Sequence, residues 1–180
     1  MAAKYLHYTY DQLNTFCMDA FQKFGFSESE ARIISDVLLL SDLYGIESHG
    51  MQRLVRYHKG IEKGMIDVHA KPEIVHETPV SAVIDAHDAM GQLVSHQAME
   101  LAIEKAKKTG MAIVSVRNSN HFGIAGYYAK MACDQGLVGM AMTNSEAIMV
   151  PTYARMAMIG SNPIALAVPA EPYPFFFDAS

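Results

Sequence analysis

The sequence predicts an α/β protein in which a small helical domain leads into an α/β sheet layer, and three observations carry that reading. The first third sets apolar residues at helical spacing between single glycines. Beyond it, short apolar or β-branched runs alternate with helical stretches. Polar clusters stand where several of those runs end, which is where α/β folds gather their sites. The boundary falls between Asp67 and Pro72, giving a helical domain over 1–67 and an α/β domain over 68–180.

The elements follow in order. Tyr10 to Phe24 carries Leu13, Phe16, Cys17, Ala20 and Phe21 on one helical face, and Gly25 supplies the stop. Ser27-Glu28-Ser29-Glu30 has the form of a capping box, with Ser27 as N-cap and Glu30 reaching back. The helix it opens runs through Ile33, Ile34, Val37 and Leu38 to about Tyr44, ended by Gly45. A further helix covers Met51 to Lys63 before Gly64. After Lys71-Pro72 the pattern becomes extended: Glu73 to His76 and Ser81 to Asp85 read as strands. Gln92 to Thr109 is helical and closed by Gly110, Met111 to Val116 is a buried strand, and Tyr127 to Gln135 is a helix ended by Gly136. Leu137 to Met142, Ile164 to Val168 and Phe175 to Asp178 complete the strands.

Composition bounds the function. With 51% hydrophobic and 18% charged residues in 180, the chain buries a core and is not disordered. A net charge of −5 opposes a nucleic-acid or anionic-membrane surface. The run Lys105-Ala106-Lys107-Lys108 reads as a solvated helix end. Apolar stretches are strand-sized and the N-terminus holds Lys4, His7 and Asp11 in place of a signal-peptide core, so neither a membrane span nor export is expected. Cys17 and Cys133 lack metal-ligand or redox spacing and read as reduced thiols on apolar helix faces, which fits the cytoplasm. The 13 methionines read mostly as core.

Three clusters can do chemistry. In Ser48-His49-Gly50-Met51-Gln52-Arg53, backbone N–H groups at the start of a helix favour an anion, Arg53 adds a forked donor for a carboxylate, and His49 can exchange a proton near neutral pH. The structural alternative is a Ser48 helix cap, a His49 bonded to backbone and an Arg53 paired with a surface acid. Asn118-Ser119-Asn120-His121-Phe122-Gly123 offers an imidazole, two carboxamides and a hydroxyl after a strand; turn formation alone also explains its asparagines. Thr143-Asn144-Ser145 and Gly160-Ser161-Asn162-Pro163 place small polar groups at strand ends, the latter also a turn signal. No HExxH or Cys/His cluster points to a metal, no GxSxG to a hydrolase, and no GxGxxG or P-loop to a conventional nucleotide site.

In this order, Ser48-His49-Gly50-x-x-Arg53, Asn118-Ser119-Asn120-His121-Phe122-Gly123-x-x-Gly126-Tyr127-Tyr128 and Gly160-Ser161-Asn162-Pro163-Ile164-Ala165 resemble the type 2 malate/L-lactate dehydrogenase family. That family also holds ureidoglycolate, sulfolactate and diketogulonate dehydrogenases. The resemblance runs from about Tyr8 to the end of the chain. It implies a non-Rossmann, NAD- or NADP-dependent dehydrogenase acting on a small 2-oxo or 2-hydroxy acid, usually as a homodimer. It implies that Arg53 and Ser48 bind the substrate carboxylate and that His121 or His49 exchanges the proton, with His121 the preferred carbonyl partner. It implies cofactor contacts from His121, Gly123, Ala125, Phe177, Asp178, Ala179 and Ser180, and no metal. Two departures stand out. Pro151-Thr152-Tyr153-Ala154 replaces a Gly-Gly pair that many members carry after the proline. Family chains are also roughly twice as long, so the resemblance covers an N-terminal half. The expected α/β cofactor domain over 68–180 is therefore incomplete, and the alternative to an active dehydrogenase is an inactive truncated member acting as a folded binding or assembly module.

Overall fold

Helix α1 (Tyr10–Lys23) begins where Thr9 caps it: the Gln12 amide N–H donates to Thr9 Oγ1 at 3.3 Å, and the Thr9 N–H donates back to Gln12 Oε1 at 3.0 Å. Helix α2 (Glu28–Leu43) opens with the predicted Ser27–Glu30 box, the Ser27 N–H donating to Glu30 Oε2 at 2.8 Å. Two 3-10 turns, Glu47–His49 and Met51–Arg53, precede α3 (Leu54–Glu62). The computed structural model describes residues 6–179; its fold is mixed α/β, helices first and sheets after. Among the described residues no helix is long and apolar enough to cross a membrane.

The chain forms two compact units. The first comprises residues up to Pro72 together with Ala86–Leu93 and Asn118–Gly123. Its core gathers Cys17 and Phe21 from α1, Ile34, Leu38 and Leu39 from α2, Tyr57 from α3, and Phe26, Ile66 and Met90 from the connections. Phe16, expected on the same buried face of α1, points outward and is 55% exposed. Cys17 is fully buried, and burial, then the Asp42 carboxylate, pushes its thiol up to about 11; it is an inert apolar filler.

The second unit comprises Glu73–Asp85, Val94–Arg117 and the residues from Ile124 on. Strand β1 (Glu73–Thr78) pairs antiparallel with β2 (Ser81–Asp85), which pairs in parallel with β3 (Ile113–Arg117). A parallel pair needs a crossover, and α4 (Gly91–Thr109) supplies it. Because β2 and β3 run the same way, the segments that follow them, 86–93 and 118–123, leave from the same end of the sheet. The expectation of a buried strand at Met111 to Val116 is corrected here. β3 is the last strand in the order β1-β2-β3, and its residues alternate between exposed and half-buried, Ile113 being 64% exposed, so one of its faces is left uncovered.

The second sheet is antiparallel, in the order β4 (Gly139–Met142), β5 (Ile164–Val168), β6 (Phe175–Ala179). Helix α5 (Ala125–Cys133) packs on the face where Ala165 and Ala167 are buried. Small residues let it approach: a Cβ on Gly139 would stand 2.1 Å from the Ala129 carbonyl oxygen. Met140, Leu166 and Phe177 are direct neighbours across the strands on the opposite face, where Met140, Met142, Phe175 and Phe177 are exposed.

Candidate active site

The Ser48-His49-Gly50 turn is seated by an acid that sequence reasoning overlooked. Asp42, near the end of α2, accepts the Met51 amide N–H through Oδ2 at 2.8 Å. Only glycine permits this at position 50, since a Cβ there would lie 1.8 Å from Asp42 Oδ1. Burial raises the Asp42 pKa; the Met51 N–H opposes the rise and the Glu47 charge adds to it. The helix-start anion site read from the sequence is thereby corrected. The Met51 N–H goes to a carboxylate of the chain itself, and a 3-10 turn stands where regular helix was expected. Ser48 Oγ lies 2.9 Å from His49 Nδ1, and Arg53 donates through Nε to the Ser48 carbonyl oxygen. Bonding through Nε holds the guanidinium plane while its two terminal nitrogens carry the other N–H groups.

The loop 118–123 is held by backbone-directed bonds. Asn118 takes a left-handed φ of +51°, and its carbonyl oxygen accepts the Asp88 N–H at 2.9 Å. Asn120 Nδ2 lies within bonding distance of three carbonyl oxygens, those of Met65 (3.0 Å), Asp88 (2.9 Å) and Ala89 (3.2 Å). Asn120 is thus an anchor for the loop. Gly123 has φ +83°, and a Cβ there would meet Val37 Cγ1 at 2.4 Å, so both conformation and space demand glycine.

That anchoring brings His121 to the serine–histidine turn. The His49 and His121 rings stack with centroids 5.3 Å apart and planes 27° apart. His121 Nδ1 lies 2.8 Å from the Tyr57 hydroxyl, and Gln92 Nε2 donates to the same hydroxyl at 2.7 Å. Burial depresses the His121 pKa to about 3, with positive charge from His49, Arg53 and Arg56 pushing the same way. Burial pushes Tyr57 up to about 12, against the Gln92 hydrogen bond and the Arg53 and Arg56 charges. At neutral pH His121 is therefore neutral and Tyr57 keeps its proton. Ser48, His49, Arg53 and His121 all belong to the first unit, and the fold draws them together with Tyr57 and Gln92.

Of the residues expected near a cofactor, Ala125 is the first residue of α5 and is buried. Asp178 Oδ2 accepts the Gly126 N–H at 2.7 Å, while Asp178 Oδ1 is buried with no hydrogen-bond partner. A Cβ on Gly126 would lie 2.5 Å from Phe176 Cζ. Phe177 is 47% exposed and Ala179 ends β6, whereas Ser180 lies outside the described residues. The third cluster closes on itself: Asn162 Oδ1 accepts the Ser145 N–H at 2.9 Å, and the Asn162 N–H donates to Ser145 Oγ at 3.2 Å. This is a structural clasp between two loops. Among the described residues no group of three His, Cys, Asp or Glu is placed to hold a metal ion.

Residues 8–180 match the family described as malate/L-lactate dehydrogenase. The chain belongs to the malate/L-lactate dehydrogenase family. It is 48% identical over 174 residues to the malate dehydrogenase of Pyrococcus abyssi, covering 97% of this chain and 48% of that protein. It is 43% identical over 161 residues to the L-sulfolactate dehydrogenase of Methanocaldococcus jannaschii, covering 89% of this chain and 47% of that protein. The structure of the malate dehydrogenase from Pyrococcus horikoshii OT3 superposes with a TM-score of 0.94 at 46% identity, covering 97% of this chain and 50% of that one. The chain spans about half the length of the curated relatives it matches, and the match falls on the N-terminal half, as the motifs implied.

In this member of the malate/L-lactate dehydrogenase family, two of the buried polar residues of the cluster went unread in the sequence. Tyr57 stands four residues beyond Arg53, one helical turn, which was a usable signal. Gln92, fully buried at the start of α4, carried none beyond being polar two residues after Met90.

Proposed function

We propose that this chain carries the substrate-binding and proton-transfer residues of an NAD(P)-dependent oxidoreductase that interconverts a 2-oxo acid and a 2-hydroxy acid of the malate or lactate kind. The observation that carries this reading is His121, a largely buried imidazole kept neutral within the field of Arg53 and stacked on a second histidine. The reaction needs a cation for the substrate carboxylate and a group that gives or takes the proton at the carbonyl or hydroxyl oxygen. Arg53 fills the first role through its terminal nitrogens, with the Ser48 hydroxyl beside it. His121 fills the second, and His49 shapes the same cluster and is the alternative acid/base.

In the oxidative direction neutral His121 takes up the proton of a hydroxy acid on a ring nitrogen that carries none. In the reductive direction it must first be protonated, and a bound carboxylate that offsets the Arg53 charge favours this by raising the depressed pKa. A bound nicotinamide nucleotide supplies or accepts the hydride. Within the second unit, Ala125, Phe177, Asp178 and Ala179 are the candidate contacts, and the orphaned Asp178 Oδ1 suits a ribose hydroxyl or a carboxamide N–H. Pairing of two copies rests on the family resemblance, and a cytoplasmic setting on the two free cysteines.

The test mixes the purified chain with NADH or NADPH and a panel of 2-oxo acids, following cofactor absorbance and fluorescence. Turnover that is lost in His121→Ala supports the reading, and an unchanged rate in either His121→Ala or His49→Ala removes that residue from proton transfer. The half-length coverage favours a second reading, a folded module that binds without turning over. Binding without turnover supports that reading, and a folded chain that neither binds nor turns over overturns both.

A further inference from the structure

We propose that Gln92 is a positioning residue that fixes the tautomer of His121 through Tyr57. Gln92 is fully buried, and its amide nitrogen lies 2.7 Å from the Tyr57 oxygen. A phenol has one proton to give. With the Gln92 N–H donating into the phenol oxygen, the Tyr57 proton is directed at its other neighbour, His121 Nδ1, 2.8 Å away. Nδ1 is then an acceptor, and neutral His121 must carry its own proton on Nε2.

Two further observations fit this polarity. The Gly123 N–H points at Nδ1 from 3.3 Å, a backbone donor that cannot reverse its sense and that opposes a proton on Nδ1. Gln92 Oε1 is buried without a partner, so no bond on its carbonyl side opposes the orientation in which Nε2 faces Tyr57. Were the amide turned over, Gln92 would accept from Tyr57, Tyr57 would accept from Nδ1–H, and that proton would face the Gly123 N–H. At 3.3 Å the Gly123 bond is long, so Gln92 acting through Tyr57 carries most of the constraint.

The consequence is directional. A neutral His121 locked as Nε2–H presents a donor at the nitrogen remote from Tyr57, so it can hydrogen-bond a carbonyl oxygen in the reductive direction of the reaction proposed above. It gives that proton up only once Nδ1 has itself been protonated, and taking a proton from a hydroxy acid requires the tautomer to shift. That consequence rests on the proposed function, but the tautomer itself does not.

The experiment is long-range proton–nitrogen NMR of the histidine side chains in the 15N-labelled chain at neutral pH, with His121 assigned by its loss in His121→Gln. The wild-type chain is expected to show His121 as Nε2–H. In Gln92→Glu, measured where the carboxylate is ionised and can only accept the Tyr57 proton, Tyr57 is turned to accept from His121 and a major Nδ1–H population is expected to appear. A wild-type Nδ1–H tautomer overturns the proposal without any variant having to fold, and so does a pure Nε2–H form retained in folded Gln92→Glu. If the chain turns over a 2-oxo acid, Gln92→Glu should lower kcat with KM kept. An absence of turnover in every form counts against the proposed function and leaves the tautomer measurement standing.

Discussion

Replacing Gly91 by alanine tests whether the His121 loop is held by close backbone packing. Gly91 is the first residue of α4 and is buried, and a Cβ there would stand 2.3 Å from the Asn120 carbonyl oxygen and 2.5 Å from that of His121. Real Cβ atoms stay beyond 3.0 Å, so the loop must retreat by roughly 0.7 Å or more. The atoms in the way are backbone, and Asn120 is tied to the carbonyls of Met65, Asp88 and Ala89, so no flexible side-chain end can absorb the shift. Overpacking of this kind costs about 1–3 kcal/mol. Gly91 opens α4, so little of the helix-interior gain of alanine over glycine offsets this, and the net cost is about 1–3 kcal/mol. A displacement approaching 1 Å at a proton-transfer group is worth about a hundredfold in rate. Urea unfolding followed by circular dichroism measures the first effect, and histidine NMR the movement of His121. Gly91→Ala with wild-type stability and an unshifted His121 would refute the reasoning.

Further expectations concern the same cluster. Because His121 is held near 3 in the folded chain and returns to about 6.5 on unfolding, the unfolded state binds the extra proton between those values; stability is complete above about pH 6.5 and falls as pH drops toward 3. At pH 5 the loss attributable to this residue is about 1–2 kcal/mol, and urea midpoints at pH 7.5 and 5 should converge by that amount in His121→Gln relative to wild type. Gly50→Ala forces Asp42 off the Met51 N–H and should cost about 2–3 kcal/mol in the same assay, while an Asp42→Asn chain keeps an acceptor and loses less. Arg53→Lys should raise the KM or Kd for a 2-oxo acid about tenfold or more, because a lysine cannot hold a fork against the carboxylate while bonding the Ser48 carbonyl; an unchanged value removes Arg53 from carboxylate binding. The exposed Met140, Met142, Phe175 and Phe177 face should bind the dye ANS at neutral pH, and charged substitutions at Met140 and Phe177 should abolish the signal.

The elements and their ends were legible because the information that sets them is local. The Ser27–Glu30 box lies within one helical turn, glycines 25, 45, 64, 110 and 136 all take positive φ at helix ends, and Ile164–Val168 was read without error. The motif residues Ser48, His49, Arg53 and His121 were legible as a family pattern from their side-chain types and spacing, and the family match bears that membership out. Tertiary structure decided what surrounds them. His121 meets Tyr57 across 64 residues of chain and Tyr57 meets Gln92 across 35, distances over which no periodicity or turn signal operates. Asp42, Gly50 and Gly91 matter through atoms that come within van der Waals range only after α2, α4 and the 118–123 loop have packed. The same holds for exposure: the β-branched run at Ile113–Arg117 forms a strand by local preference, but which of its faces is covered depends on what packs against the sheet. The sequence by itself determined most of the helices and strands and the family. The fold determined that His121 is buried, uncharged and hydrogen-bonded to a tyrosine, because desolvation and hydrogen-bond partners belong to the assembled surroundings of a residue and not to the residue.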